Sequence, residues 1–180
     1  HFVARPLQFK PLVKSLFHHL RDSTLVCLFA IGFLLMGSFV TMYNYISFKF
    51  LEEPYALSAT IVGWIFLVYL VGTFSSAWFG SLSSKYGKQP VLYLGIIIFL
   101  AGLLLTIPGP LFMQIIGLVI FTFGFFAAHS VASGWVSARA THDKAQASSI
   151  YLFAYYFGSS VAGTAGGYFW MKFGWSGIVG

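Results

Sequence analysis

Four long segments of this sequence contain no Asp, Glu, Lys or Arg. They are Ser23–Phe48, Pro54–Ser84, Gln89–Ala138 and Ala145–Met171. A helix needs about 20 apolar residues to cross the hydrocarbon core of a bilayer, so the first, second and fourth segments each predict one transmembrane helix. The third is long enough for two, which Pro108-Gly109-Pro110 separates because no helix continues through that sequence. The sequence therefore predicts five spans.

The predicted fold class is all-α, a polytopic transmembrane helix bundle in residues 23–180 that follows a basic, amphipathic linker in residues 1–22. We place the spans at about 24–48, 58–82, 90–107, 111–137 and 146–171, with a sixth starting from about 175. Charged residues make up 8% of the chain, against about 25% in a soluble domain, which is too few for a water-facing coat. We expect both ends to be cuts in a longer chain.

The basic residues indicate how the bundle is oriented. Consecutive loops alternate sides, so the linker, the 83–89 loop and the 138–145 loop share one face. That face holds Arg5, Lys10, Lys14, Arg21, Lys85, Lys88, Arg139 and Lys144, and the other face holds only Lys49 and Lys172. The positive-inside rule places the first face in the cytoplasm. The net charge of +6 is thus explained by topology and lipid headgroups and does not indicate nucleic acid.

One loop carries a recognisable motif. Residues 80–90 read Gly-Ser-Leu-Ser-Ser-Lys-Tyr-Gly-Lys-Gln-Pro. This resembles the G-x-L-x-D-[RK]-x-G-[RK] signature of the major facilitator superfamily, which lies in the cytoplasmic loop between the second and third helices of each six-helix half. The matching residues are Gly80, Leu82, Lys85, Gly87 and Lys88, and Ser84 replaces the acidic residue. The fifth span is similar, over Ser148–Ser160, to the eleventh helix of bacterial drug- and sugar-efflux members.

The resemblance implies a function as well as a fold. The chain would be the linker and helices seven to eleven of a secondary transporter, whose N-terminal six-helix half is missing. Residues 80–88 would form its conformational-switch loop. The switching role of this loop would be weakened because Ser84 replaces the acidic residue. The implied partners are the lipid bilayer, a small organic solute and protons. The implied transport is efflux by antiport across a plasma membrane, which would be the inner membrane of a bacterium. The alternative is a non-transporting scaffold or assembly protein with the same bundle.

Polar groups inside the spans are the candidates for transport chemistry, because they are costly in lipid. The spans contain no carboxylate. His129 could exchange protons, although its small neighbours favour packing or a hydrogen bond between helices. Asn44 and Gln114 are expected to face protein or a cavity, or water near the outer ends. Tyr155 and Tyr156 could stack on a planar aromatic substrate or serve only as packing.

Small residues predict where helices approach closely. Ser159, Gly163 and Gly167 are spaced by four on one face of the fifth span, and similar pairs occur at Gly95/Gly102 and Gly117/Gly124. The third span is almost uniformly Leu, Ile, Val and Phe, which is typical of a helix that faces lipid. We therefore expect Gly163→Leu to be more disruptive than Gly102→Leu.

No enzymatic constellation is present in the sequence. A rhomboid-type protease needs Gly-x-Ser-Gly, and Val131-Ala132-Ser133-Gly134 lacks the first glycine. There is no P-loop, no His/Cys cluster with metal-ligand spacing and no channel filter. The sequence predicts neither an enzyme nor a cofactor or metal.

The topology can be tested with single cysteines and a reagent that does not cross membranes. Cysteines at Lys88 and Thr141 should be labelled only from the cytoplasm, and one at Glu52 only from outside. Labelling of all three from the same side would contradict the span count.

Overall fold

A computed structural model describes residues 9–107 and 109–180, with side chains from Val13 onward. Within these ranges the chain forms helices and no strand, which confirms the all-α class. The helices are α1 (Phe9–Arg21), α2 (Ser23–Leu51), α3 (Ala59–Gly63), a 3-10 helix (Trp64–Val68), α4 (Tyr69–Tyr86), α5 (Lys88–Leu105), α6 (Leu111–Arg139) and α7 (Lys144–Val179). The first eight residues of the predicted linker lie outside the described residues.

Four of the described helices are long and apolar enough to cross a membrane. They are Ser23–Leu51, Ala59–Tyr86, Lys88–Leu105 and Leu111–Arg139, where the second runs through α3, the 3-10 helix and α4. They coincide with the first four predicted spans to within a few residues. The fifth predicted span lies in α7, which its Gly, Ser and Tyr residues make less apolar than these four. The backbone of α7 is broken at Gly174 (φ 58°), one residue before the predicted start of a sixth span.

Local signals explain where the helices begin and end. Asp22 caps α2, since its carboxylate accepts hydrogen bonds from the amides of Thr24 (2.9 Å) and Leu25 (3.3 Å). Gly87 separates α4 from α5 at φ 91°, a conformation that glycine adopts without a steric penalty. Gly80 has a different environment, because a Cβ there would meet no described atom within 4 Å.

Very close packing joins α5 to α6, which run antiparallel. A Cβ built on Gly102 would overlap the backbone of Phe121, and one on Gly124 would overlap the backbone of Phe99. A Cβ on Gly95 would lie 2.9 Å from the Ala128 amide nitrogen. The glycines of each helix therefore receive the backbone of the other, and α5 does not face lipid on all sides.

The helix α7 packs along α2 in the same direction. A Cβ on Gly158 would overlap the Phe33 carbonyl, and one on Gly166 would lie 2.6 Å from the Tyr45 ring. The predicted small-residue stripe belongs to this interface but is looser, with Gly163 at 3.3 Å from Val40 Cγ1. A Cβ on Gly167 would lie 3.2 Å from the Tyr45 hydroxyl oxygen. The Ser159 hydroxyl donates a hydrogen bond to the Tyr156 carbonyl of its own helix. The expected order of Gly163 and Gly102 is wrong, because Gly102 is the tighter position.

Gly102→Ala should lower the unfolding temperature of the full-length protein in detergent and its folded yield. A methyl group there must push two backbones apart, and overpacking of this kind costs about 1–3 kcal/mol. Gly134→Ala is the matched control, because a Cβ on this α6 glycine meets nothing within 4 Å and alanine favours a helix. Equal thermal stability of the two variants would contradict the packing described for α5 and α6.

Candidate functional site

Aromatic side chains line the place where α2, α4 and α6 meet. The Phe39 ring stacks on Phe125 with ring centres 3.8 Å apart, and Tyr43 stacks on Tyr69 at 4.8 Å. The Tyr43 hydroxyl and the Thr122 hydroxyl form a buried hydrogen bond of 2.7 Å, so neither polar group is left unpaired in the apolar interior. These contacts fix α2 and α4 against the middle of α6.

His129 continues this cluster towards α7. Its Nδ1 atom lies 2.9 Å from the Tyr151 hydroxyl oxygen, and its ring centre lies 4.7 Å from that of Tyr155. Tyr151 is buried with its ring against Gly32, where a Cβ would lie 2.7 Å from the ring. Glycine at this position therefore makes room for the tyrosine that holds His129. His129 lies ten residues before Arg139 on α6, about 15 Å from it along the helix axis.

Of the five polar and aromatic candidates, the structure brings three together. His129 and Tyr155 are in ring contact, and Tyr156 meets the edge of Tyr155 at 5.2 Å with 61% of its surface exposed. Asn44 is exposed and lies nearer to Gly163 of α7. Gln114 lies 15 residues before His129 on α6, about 22 Å away. The last two residues are not part of this cluster.

Gln114 belongs to a second polar cluster, at the opposite end of the bundle from Arg139. It is fully buried, and its Oε1 atom accepts a hydrogen bond of 2.8 Å from Lys49 Nζ. Lys49 Nζ also donates to the Thr106 carbonyl at 2.9 Å and lies 4.3 Å from the Trp175 ring centre. The Trp175 indole donates to the same carbonyl at 2.7 Å. One ammonium group thus ties together parts of α2, α5, α6 and the segment after Gly174.

Sequence reasoning missed the role of Lys49 because it counted this residue only as a loop charge. Its position in the last turn of a long apolar helix was the available signal, since a cation there can reach the free carbonyls of neighbouring helix ends. The Gln114 side chain was expected to face protein or a cavity, or water near the outer end of its span, and the structure places it in the protein interior. Lys49 donates to the Gln114 amide oxygen, while the Nε2 atom of Gln114 has no hydrogen-bond partner among the described residues.

The predicted switch loop is ordered mainly by local contacts. The hydroxyls of Ser83 and Ser84 donate to the Gly80 carbonyl at 2.9 and 3.2 Å, and Leu82 packs against the core. The Lys85 ammonium lies 5.0 Å from the Tyr86 ring centre. Neither Lys85 nor Lys88 forms an ion pair within the ranges that the structure describes.

An ion pair joins the start of α2 to the end of α6. Arg139 Nε lies 2.8 Å from a carboxylate oxygen of Asp22. Burial opposes the charge of Asp22, but the hydrogen bond from Arg139, its positive charge and the capping amides hold the pKa of this carboxyl below its ordinary value. The pair is therefore present near neutral pH and is lost as the pH falls through that lowered pKa. Ser23, Gln89 and Trp135 line one cavity, so the helix ends that adjoin the three basic loops lie at the same end of the bundle.

Comparison with known proteins agrees with this architecture. Residues 12–180 match the Major Facilitator Superfamily. The chain belongs to the major facilitator superfamily. It is 52% identical over its whole length to the MFS-type transporter YybF of Bacillus subtilis (strain 168), of which it covers 45%. It is 48% identical over 178 residues, 99% of the chain, to the inner membrane transport protein YnfM of Escherichia coli (strain K12), of which it covers 43%.

Superfamily membership confirms the predicted family and the helical membrane fold. The relatives are transporters and not enzymes. The chain spans less than half the length of each of these relatives. Within the described ranges, no three His, Cys, Asp or Glu side chains are grouped so that they could hold a metal ion.

Lys49→Met should destabilise the full-length transporter, because it leaves the buried oxygen of Gln114 unpaired at a cost of about 1–3 kcal/mol. Adding Gln114→Leu removes the unpaired amide and should recover part of the loss, as thermal unfolding in detergent would show. If the double variant lost as much stability as the two single variants together, a direct link between these side chains would be contradicted.

Proposed function

We propose that this chain is the C-terminal half of a secondary active transporter that moves a small organic solute by alternating access. The bundle would supply helices seven to eleven, and the missing N-terminal half would face it across a central cavity. The membrane would be the bacterial inner membrane, with the three basic loops in the cytoplasm. Export by proton antiport is the direction and coupling that we propose.

The observation that carries this proposal is the aromatic cluster around His129. Tyr155 is half-buried and Tyr156 is more than half exposed, so rings held by packing on one side remain open on the other. Such a surface can stack on a planar solute, with about 0.5–1.5 kcal/mol for each aromatic pair. Superfamily membership supports transport over a scaffold role, which would not need an open aromatic surface.

The proposed roles of the remaining candidates follow from their positions. Tyr155 and Tyr156 would contact the solute, and His129 would hold α7 through Tyr151. Gly80, Leu82, Lys85, Gly87 and Lys88 would form a switch loop whose partner lies in the missing half. The Asn44 side chain, exposed on α2, would line the outer part of the cavity, and Gln114 would be structural.

Transport can be tested with the full-length transporter in proteoliposomes that enclose a pH-sensitive dye. Among a panel of planar aromatic compounds, at least one should accumulate in response to an imposed pH gradient and move protons as it does. Tyr155→Ala should raise the half-saturating concentration of that compound about 2- to 12-fold, the loss expected for one stacked pair. Tyr168→Ala, an exposed tyrosine nearer the other end of α7, is the control. A panel that yields no accumulation and no proton flux would favour the scaffold.

The same assay separates the two roles considered for His129. His129→Gln keeps a polar side chain but cannot titrate. We expect gradient-driven transport to persist, because His129 is already hydrogen-bonded to Tyr151 and no carboxylate lies in any predicted span. A variant that binds and exchanges solute normally but no longer responds to the gradient would show that His129 carries the proton.

A further inference from the structure

A cleft separates α1 from the loop that precedes α7. It has a volume of about 370 Å³ and is lined by Lys14, Ser15 and His18 of α1 and by His142 and Asp143 of the loop. The rings of His18 and His142 face each other across it with centres 5.2 Å apart. The cleft therefore brings an ammonium, a hydroxyl and two imidazoles to one place, beside a single carboxylate.

The surroundings of the cleft are positively charged. Two charged residues line the cleft, Lys14 and Asp143. Arg21, Asp22, Arg139 and Lys144 lie at the ends of the helices that adjoin it. Among these described side chains four are basic and two are acidic, and Arg139 is paired with Asp22. The cleft also borders the first residues of α7, where Asp143 makes no capping hydrogen bond through its side chain. The free amides of a long helix attract anions at that end.

We propose that this cleft binds the phosphate of an anionic membrane lipid. Lys14 would supply the charge, the Ser15 hydroxyl and the two imidazoles would supply hydrogen bonds, and the start of α7 would add its dipole. A phosphate anion carries the charge and the oxygen acceptors that these donors need. Asp143 is the one lining group that opposes the ligand.

The position of α1 favours a lipid over a soluble phosphate. Val13, Phe17 and Leu20 of α1 are 49%, 59% and 45% exposed, and the helix ends two residues before the membrane-spanning α2 begins. A helix with apolar side chains uncovered at this level lies in the interface, with those side chains in the acyl region and its cations among the headgroups. A lipid bound there would hold α1 against the loop, together with the Asp22–Arg139 pair.

The test measures lipid retention by the full-length transporter, purified in detergent and analysed by native mass spectrometry with added phosphatidylglycerol or phosphatidylcholine. Phosphatidylglycerol should be retained in preference. Lys14→Ala should reduce its retention about fivefold, the usual effect of one basic residue at a lipid surface, and His142→Ala should reduce it less. Asp143→Asn should increase retention, because it removes the opposing carboxylate. This variant also keeps the test decisive if Lys14→Ala does not fold.

Lys172→Ala is the matched control, since this exposed lysine lies at the opposite end of α7 and should leave retention unchanged. Equal retention of the two lipids, or equal effects of Lys14→Ala and Lys172→Ala, would overturn the proposal. Glycerol phosphate that displaces phosphatidylglycerol at equal concentration would also overturn it, because the site would then recognise a soluble phosphate.

Discussion

The close approach of α5 to α6 is the constraint on which the rest of the structure depends. Inside a bilayer, apolar side chains gain little by leaving lipid, so helices associate where their backbones can come into contact. Gly95 and Gly102 provide that contact from α5, and Gly117 and Gly124 provide it from α6. The position of α6 then determines the rest, because its other faces carry Thr122, His129, Gln114 and Arg139. Each of these residues is the partner of a residue in α2, of its cap Asp22 or of a residue in α7.

The spans were predictable because charge and proline are expensive in a membrane helix, and both therefore mark where helices end. Asp22 as a cap and Gly87 as a turn are explained by rules that are equally local. The glycine pairs of α5 and α6 were visible as patterns, but the sequence does not show that the two helices pack against each other at these glycines. Uniform apolarity of α5 predicted a lipid-facing helix, because leucine and isoleucine look alike whether they contact lipid or protein.

The functional cluster was only partly readable for a related reason. His129 and Tyr155 stood out as polar groups within apolar spans, but their contact depends on how α6 and α7 cross. Tyr151 and Gly32 were missed, since a tyrosine and a glycine are both common in membrane helices. Lys49 was missed because it was counted only as a charge that marks the end of a span. That count says nothing about which groups its ammonium contacts.

The distribution of charge along the bundle indicates which part of the proposed transport cycle these helices can carry. All four carboxylates of the chain lie outside the predicted spans, at Asp22, Glu52, Glu53 and Asp143. The one imidazole within those spans is held by a tyrosine hydroxyl, which can satisfy it in its neutral form without a charged partner. A proton that crosses the membrane needs a group whose charge changes in contact with water. We infer that this half contributes an uncharged aromatic surface to the cavity and that the coupling group belongs to the other half.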